Sequence, residues 1–275
     1  MTHRVRPAPA LAGEVEPPGD KSISHRAVIF NSIANGPAQV LNFLPGADTL
    51  ATVDCLQALG VEIRLDPDPL EGSAPKGLRV MVNGRGIERL VEADQVLDAR
   101  NSGTTIRLLT GLLSAAPFFS VISGDSSLNA RPMGRLIKPL RLMGAEIWGR
   151  EQGDQAPLSI RGGALSGIEY SLPVASAQIK SALILAGLFA EGDSVIHQPA
   201  PSRDHTERMV QAMGAEIKVE DTTITVRPGP LSPSDVRVPG DISSAACWIV
   251  AGAINPNASI KALATGVNPT RAGII

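Results

Sequence analysis

One short pattern occurs three times along the chain and restricts its fold more than any other feature. The copies read ALGVEI at 58–63, LMGAEI at 142–147 and AMGAEI at 212–217. In each copy a helical spacing of apolar residues ends at the glycine and an alternating stretch follows, which predicts a helix, a glycine C-cap and a strand. Glycine suits such a cap because it adopts positive φ at little cost. This self-similarity indicates one supersecondary unit that is used several times.

A second pattern, an apolar helix opened by small polar residues, alternates with the first. It predicts helices over 22–34, 102–115, 176–190 and 243–253. Strand-like stretches fill the gaps, at 78–82, 118–122, 158–160, 194–197 and 224–226. Each unit therefore runs strand, helix, strand, helix and further strand, which predicts an α/β fold in which helices cover sheets.

The fourth copy of the unit is incomplete. It opens with VPGDISS at 238–244, and NPTR at 268–271 predicts the start of a second helix just before the last residue, Ile275. A unit that lacks its second helix cannot bury that helix's apolar face. We therefore expect the chain to be a piece of a longer protein. The alternative is a natural end with a frayed tail.

Composition narrows the class of protein. Of the 275 residues 43% are hydrophobic and the net charge is −2, which favours a packed core and argues against nucleic acid as the main partner. The chain has no run of about 18 apolar residues and no signal peptide, so we expect a soluble, cytoplasmic protein. Cys55 and Cys247 are too far apart for a metal site and are predicted to be buried, reduced thiols.

Basic and polar side chains surround the first predicted helix start. Lys21, Ser22 and Arg26 lie where free backbone N–H groups and the helix dipole favour an anion. Lysine supplies a point charge, arginine a two-pronged donor and serine a hydroxyl, a combination that suits a phosphate or a carboxylate. The alternative is a solvated basic helix start.

Two further helix starts carry groups of the same kind. Gly103 lies in the turn NSGTT at 101–105, where backbone can approach a ligand closely, although the turn also fits an ordinary N-cap. Gln178 follows Ser176 and Ala177 and offers both a donor and an acceptor. Lys180, in the same helix, is either a ligand group or, as we favour, an exposed lysine.

Arginines mark the remaining boundaries between loops and helices. Arg131 precedes Pro132, and Arg203 precedes a helix that Asp204 is predicted to cap, with Glu207 completing a capping box. If the units pack around a common axis, their helix starts converge on one cleft. Such a cleft would suit a small ligand with more than one negative charge.

Six blocks of this sequence resemble those of the EPSP synthases, the 3-phosphoshikimate 1-carboxyvinyltransferases, in order over nearly the whole chain. They are DKSISHR at 20–26, NSGTT with RLL at 101–109, RPMG at 131–134, SAQIKSA at 176–182, SRDHTE at 202–207 and VPGDISSA at 238–245. The resemblance implies a two-domain enzyme of six βαβαββ units, an inside-out α/β barrel whose ligands bind between the domains. Residues 1–18 would begin a discontinuous outer domain, 19–236 would form a complete domain of three units, and 237–275 would begin the remaining units.

The resemblance also implies a reaction without metal or organic cofactor. The enolpyruvyl group of phosphoenolpyruvate passes to the 5-hydroxyl of shikimate 3-phosphate and phosphate is released, a step toward chorismate and the aromatic amino acids. Lys21 is the implied proton carrier. The implied contacts of shikimate 3-phosphate are Lys21, Ser22, Arg26, Ser176, Ala177, Gln178 and Arg203. Those of phosphoenolpyruvate are Lys21, Gly103, Arg131 and Gln178.

Further expectations follow from the same resemblance. Gly103 leaves the room that the inhibitor glyphosate is expected to need, which predicts a glyphosate-sensitive site. In members of the family the acidic catalytic residues lie in a later part of the sequence that these 275 residues do not include. The 275 residues should therefore bind shikimate 3-phosphate weakly at best and turn over nothing. We expect a monomer. Arg100 replaces the family's usual glycine and either points to solvent, which we favour, or adds a cation near the phosphoenolpyruvate phosphate.

Three other functions are alternatives. The enolpyruvyl transferases that act on UDP-N-acetylglucosamine share the fold but carry a reactive cysteine before the Arg-Pro block, and 117–130 contains no cysteine. A non-catalytic half-enzyme that binds a phosphorylated metabolite or a partner chain is a second alternative. A purely structural repeat protein would not need basic residues at its helix starts.

Overall fold

The predicted periodicities fold into sixteen strands and nine α-helices within residues 9–68 and 77–275, which are the residues that the computed structural model describes. Residues 1–8 of the predicted outer-domain start therefore lie outside the described residues. The strands are β1 Leu11–Val15, β2 Asn35–Phe43, β3 Glu62–Pro67, β4 Leu78–Arg85, β5 Leu97–Asp98, β6 Phe119–Ser123, β7 Glu146–Gly149, β8 Gln155–Arg161, β9 Leu165–Ser166, β10 Glu169–Ser171, β11 Ala190–Glu191, β12 Ser194–His197, β13 Ile217–Glu220, β14 Thr223–Val226, β15 Val236–Arg237 and β16 Ala258–Ala262. The helices are α1 Lys21–Ile33, α2 Ala47–Ala58, α3 Gly103–Ala115, α4 Ser126–Asn129, α5 Gly134–Leu142, α6 Arg150–Gly153, α7 Ala177–Gly187, α8 His205–Ala212 and α9 Ile242–Ile254.

Three four-stranded sheets share one topology. Their strand orders are β15-β2-β4-β3, β5-β6-β8-β7 and β10-β12-β14-β13. In each sheet the first pair is parallel and the next two pairs are antiparallel. The predicted α/β fold of repeated βαβαββ units is therefore confirmed.

The first sheet is completed from the far end of the repeat. Its parallel edge strand, β15, follows the third unit and pairs with β2 through Val236 and Val40. No strand is among the sequence predictions over 35–43, where Asn35, Gly36 and Pro37 indicate the end of the first helix. They fit there because Pro37 pairs only with β4, whereas β15 reaches β2 only at residues 40 and 41.

The first helix of each unit forms the interior of the fold. Nearly every residue of α1, α3 and α7 is buried, and each helix packs against the strands of its own unit. The core is aliphatic, and Phe30 and Phe43 are the aromatic side chains among its largest fully buried members in the described ranges. Because they are buried on nearly all sides, these helices have no broad face toward solvent.

Hydroxyl side chains tolerate this burial by bonding back to their own helix. The hydroxyls of Ser24, Ser32, Thr110, Ser114 and Ser181 each donate to the backbone carbonyl four residues earlier, at 2.6–2.8 Å. A buried hydroxyl without a partner would be costly, and the carbonyl one turn back satisfies it locally. Serines and threonines can therefore line the contacts between buried helices.

The helix ends agree with the sequence in most places. Gly60, Gly144 and Gly214 have φ of +84°, +107° and +90°, as predicted for their C-caps, and the side chains of Ser102 and Ser176 cap α3 and α7.

Four details of the sequence interpretation were wrong. The first helix begins at residue 21 under the side chain of Asp20, not at residue 22, and α7 ends at Gly187, because 190–191 pairs with β9. Residues 268–271 form turns, since the Asn268 side chain accepts from the Thr270 amide at 2.9 Å. Cys55 is buried as predicted, but Cys247 is exposed, because α9 buries only two of its residues.

Two similar segments, PPGD at 17–20 and VPGD at 238–241, cross at Gly19 and Gly240. The amide of Asp20 donates to the carbonyl of Pro239, and that of Asp241 to the carbonyl of Pro18, both at 2.8 Å. Each aspartate caps the helix that follows it, and Arg271 lies 3.9 Å from the carboxylate of Asp20 and 3.6 Å from that of Asp241.

On the far side of this crossing, β1 and β16 form a separate parallel pair.

In the described ranges no helix is both long and apolar enough to cross a membrane.

The close approach of α3 to α7 generates a stability prediction. A Cβ at Gly111 would overlap the backbone of Ala182, so Gly111→Ala should lower the free energy of unfolding by about 1–3 kcal/mol. Urea unfolding measures this. Gly163→Ala is the matched control, because a Cβ built at Gly163 would have no atom from elsewhere in the fold within 4 Å. Equal stabilities of the two variants would contradict the prediction.

Candidate anion-binding site

The first turns of four helices meet around a small polar cleft of about 190 Å³. Helices α1, α3, α7 and α8 contribute to it, so N–H groups from several helix starts lie around one space. The lining residues are Lys21, Ser22, Arg26, Thr104, Ala177, Gln178, Arg203 and His205.

Arg26 is the most constrained of the cations at this cleft. Its side chain donates to Thr206 Oγ1 at 2.7 Å, to the Ser22 carbonyl at 2.9 Å and to Ser181 Oγ at 2.7 Å. All three acceptors are uncharged, although the residue is only 3% exposed. Burial, with a contribution from nearby Arg203, lowers the pKa of Arg26 to about 10, so the guanidinium is still charged at neutral pH. A buried cation held by neutral oxygens favours a bound anion.

Lys21 and Arg203 add charge at the more open side of the cleft. Lys21 Nζ lies 3.0 Å from Asp48 Oδ2, and its side chain is half-exposed. Arg203 Nη1 donates to Ser22 Oγ at 3.3 Å. The Ser22 hydroxyl therefore links Arg203 to the first turn of α1, to which Ser22 belongs. Asp48 offsets only one of these positive charges.

A second group of cations surrounds Gly103. A Cβ built there would lie 2.7 Å from Arg107 Nη1 and 3.1 Å from Arg131 Nη1, so glycine lets both guanidinium groups approach the helix start. Arg131 donates to Asn101 Oδ1 at 2.6 Å. Burial and the neighbouring Arg131 lower the pKa of Arg107. Two adjacent guanidinium groups repel each other, and an anion between them would relieve that repulsion.

Gln178 connects the two groups of cations. Its Oε1 accepts from Arg107 Nη1 at 3.1 Å, and its Nε2 donates to Thr104 Oγ1 at 3.0 Å, while the residue also lines the first cleft. Ser176 does not line the cleft; its hydroxyl caps α7 by accepting from the Ile179 amide at 3.4 Å. It therefore positions Gln178.

Six of the nine predicted site residues line the cleft, namely Lys21, Ser22, Arg26, Ala177, Gln178 and Arg203. Gly103 and Arg131 lie together in the second group of cations, and Ser176 caps α7. Thr104, Arg107 and His205 were not predicted as site residues. Arg107 had a usable signal, since it stands one helical turn after Gly103. Burial lowers the pKa of His205 to about 4, so its ring is neutral at pH 7.

Three interpretations at α7 and α8 were wrong. Lys180 is completely buried, and its Nζ lies 2.6 Å from Glu207 Oε1. Glu207 therefore forms no capping box. Asp204 makes no side-chain cap; its carboxylate accepts instead from Arg208, Asn268 and Thr270. Longer-range partners outcompeted the local caps in both cases.

Arg100 faces solvent, as the sequence analysis favoured. It is exposed, has a φ of +51°, and pairs with Asp54 of α2. It does not line the cleft.

A buried chain of hydrogen bonds links the helix starts behind the cleft. His25 Nδ1 contacts Thr52 Oγ1, which contacts Thr105 Oγ1, which donates to Ser102 Oγ, each at 2.7 Å. Since Ser102 caps α3, this chain joins α1 to the helix start that carries Gly103.

The chain is similar to known proteins over nearly its whole length. A family model described as EPSP synthase (3-phosphoshikimate 1-carboxyvinyltransferase) matches residues 5–275. The 3-phosphoshikimate 1-carboxyvinyltransferase of Desulforudis audaxviator is 54% identical over 276 residues, covering 100% of this chain and 62% of that protein. Its counterpart in Geobacillus kaustophilus is 53% identical over 267 residues, covering 97% and 60%.

Solved structures show the same relationship. The EPSP synthase of Acinetobacter baumannii superposes with a TM-score of 0.87 and 46% identity, covering 96% of this chain and 58% of that one. The chain spans about three fifths of the length of the curated relatives that it matches.

The burial of His25 generates a pH prediction. Burial lowers the pKa of His25 to about 3, so below about pH 6.5 the unfolded chain takes up a proton that the folded chain does not. This histidine should therefore reduce stability by about 1.4 kcal/mol per pH unit as the pH falls from 6.5 toward 3. His25→Gln should lessen the pH dependence by that amount, measured by urea unfolding at pH 7.5, 6.5, 5.5 and 4.5. An unchanged slope would show that His25 does not resist protonation in the fold.

Proposed function

Because this chain belongs to the EPSP synthase family, we propose that it binds the substrates of enolpyruvyl transfer from phosphoenolpyruvate to the 5-hydroxyl of shikimate 3-phosphate. The observation that carries the proposal is the buried guanidinium of Arg26, held by neutral oxygens beside Lys21 and Arg203. Such a site favours a small ligand with more than one negative charge. The names of the relatives, which are 3-phosphoshikimate 1-carboxyvinyltransferases, support shikimate 3-phosphate as that ligand.

The cleft at α1, α7 and α8 is the proposed shikimate 3-phosphate subsite. Its cations, hydroxyl and helix-start N–H groups are the donors that phosphate and carboxylate groups accept from. The Ser176 hydroxyl caps α7 by accepting from the Ile179 amide, which leaves its own proton for a ligand. The proposed ligand contacts are Lys21, Ser22, Arg26, Ser176, Ala177, Gln178 and Arg203.

The space beside Gly103 is the proposed phosphoenolpyruvate subsite. Arg131 is its predicted cation, and the structure adds Arg107 on the facing side of Gly103. Gln178 borders both subsites, which suits a reaction that joins two ligands. Holding both reactants in contact converts a bimolecular step into an intramolecular one.

Lys21 is the proposed proton carrier. The transfer requires a proton at the methylene carbon of phosphoenolpyruvate, positive character at its central carbon and removal of a proton from the attacking hydroxyl. Lys21 stands at the open side of the cleft, and its ammonium is hydrogen-bonded to Asp48 at 3.0 Å. The carboxylate restrains the ammonium while leaving two of its protons for ligands. Fixed charges and proton transfer suffice for this chemistry without a covalent enzyme intermediate.

The domain division is also a proposal. The crossing at Gly19 and Gly240 supports a boundary near residues 19 and 237, and the pairing of β1 with β16 supports grouping 9–18 with the residues after 237. A cytoplasmic location, a monomeric state and glyphosate sensitivity stay predictions.

The first test is calorimetric titration of this chain with shikimate 3-phosphate. Lys21→Ala removes a charged donor from the proposed subsite, so its affinity should fall about 10- to 100-fold, as expected for one charge-assisted hydrogen bond. Lys218→Ala is the control, because Lys218 is an exposed lysine of β13. Equal affinity of Lys21→Ala and the unmodified chain would contradict the assignment, and no binding by the folded chain would contradict a subsite that these 275 residues form by themselves.

A second test separates the two subsites. Gly103→Ala places a methyl group within 3.1 Å of both Arg107 and Arg131, whose flexible ends can move aside without unfolding the protein. Affinity for shikimate 3-phosphate should change less than about twofold, while that for phosphoenolpyruvate, titrated in the presence of shikimate 3-phosphate, should fall about tenfold or more. Equal losses for both ligands would contradict the division.

A further inference from the structure

The buried ion pair between Lys180 and Glu207 lies behind the cleft without lining it. Lys180 is 0% exposed and Glu207 is 4% exposed, and Nζ and Oε1 are 2.6 Å apart. Lys180 also donates to the carbonyl of Ser202 at 3.4 Å. Glu207 Oε2 is buried and has no hydrogen-bond partner among the described residues. A pair so deeply buried is a poor source of stability, since desolvation opposes the attraction between its charges.

The pair joins two segments that both supply the cleft. Lys180 stands one turn after Ser176, in the helix that presents Ala177 and Gln178. Glu207 lies in the first turn of α8, and the Ser202 carbonyl immediately precedes Arg203. The pair therefore fixes the start of α7 against the loop that carries Arg203.

The neighbours of the pair in the sequence hold Arg26. Ser181 follows Lys180 and Thr206 precedes Glu207, and their hydroxyls lie 2.6 Å apart. Each also accepts from the Arg26 guanidinium at 2.7 Å. A shift between α7 and α8 would therefore separate the two hydroxyls that orient Arg26.

Glu207 also acts on Arg26 through charge. Its carboxylate favours the charged form of Arg26, whereas Arg203 opposes it. Several cations lie around this cleft, and Glu207 is the carboxylate buried among them on the α8 side. It is thus placed to limit the repulsion between Arg26, Arg203 and Lys180 while the site is empty.

We infer that Lys180 and Glu207 are positioning residues: their ion pair holds the Arg203 loop and the Arg26 hydroxyl partners in the arrangement that receives the anion. The inference rests on the proposed function for the identity of that anion. The geometry that the pair holds is a property of the ligand-free protein, and this makes the two claims separable.

The decisive variant replaces both members with methionine, Lys180→Met with Glu207→Met. Removing both charges together avoids an unpaired buried charge. The double variant should therefore lose less free energy of unfolding than Lys180→Met or Glu207→Met alone. The matched control makes the same replacements in Lys218 and Glu220, an exposed pair on β13 whose charged atoms are 2.9 Å apart. Urea unfolding, calorimetric titration with shikimate 3-phosphate and amide hydrogen exchange are measured on all of these proteins.

We expect the double methionine variant to stay folded, to lose at least about tenfold in affinity for shikimate 3-phosphate, and to exchange amide hydrogens faster over 198–206 alone. The control pair should change neither readout. Unaltered affinity and exchange in a folded double variant would show that the pair only contributes to stability, and would overturn the inference.

The single variant Glu207→Gln distinguishes positioning from charge. It leaves Lys180 unneutralised, so an effect of charge alone would tighten the binding of an anion, whereas loss of positioning weakens it. Tighter binding would therefore overturn the inference. If the unmodified chain does not bind shikimate 3-phosphate, the proposed ligand is wrong, and amide exchange over 198–206 in the ligand-free variants decides the positioning role by itself.

Discussion

The buried positive charge of Arg26 is the constraint around which the cleft is organised. Water no longer solvates its guanidinium, so the protein must supply oxygens, and it does so from three helices: the Ser22 carbonyl of α1, the Ser181 hydroxyl of α7 and the Thr206 hydroxyl of α8. These helices belong to the first and third units of the repeat, so the anion site forms only when the units are assembled. Folding and site formation are in this sense one event, and a bound anion would stabilise the packing that creates its site.

Repetition explains why the helix starts meet. The same βαβαββ unit occurs three times, and each unit buries its first helix against its own sheet. Equivalent ends of α1, α3 and α7 then lie near one another, although no unit alone presents more than one of them. The buried histidine and the threonines between α1 and α3 join these ends by hydrogen bonds rather than by apolar contacts. Directional hydrogen bonds of this kind can fix such an arrangement more specifically than interchangeable methyl groups can, although His25 Nε2 is buried without a partner among the described residues.

Local patterns predicted those parts of the molecule that local physics determines. Apolar periodicity gave the helices, positive φ selected Gly60, Gly144 and Gly214, and the helix starts revealed the cations. The misjudged residues depend on partners distant in sequence. Lys180 can be buried because Glu207 pairs with its charge. Strand β2 begins with three residues that usually interrupt strands, and it forms because β4 and β15 pair with it. The spacing of apolar residues around a side chain does not show which distant residue will contact it. Such pairs therefore cannot be predicted from the local sequence.

The crossing of the two Pro-Gly-Asp segments has a topological consequence. The chain leaves for its three repeated units at Gly19 and returns at Gly240, and the backbones at these points are hydrogen-bonded to each other. With β15 closing the first sheet, the repeated part is circular in all but its covalent bonds. The residues between these two points therefore begin and end beside each other. The two ends of this part could be joined to each other, and new ends made at another surface loop, without altering the order in which its strands pair.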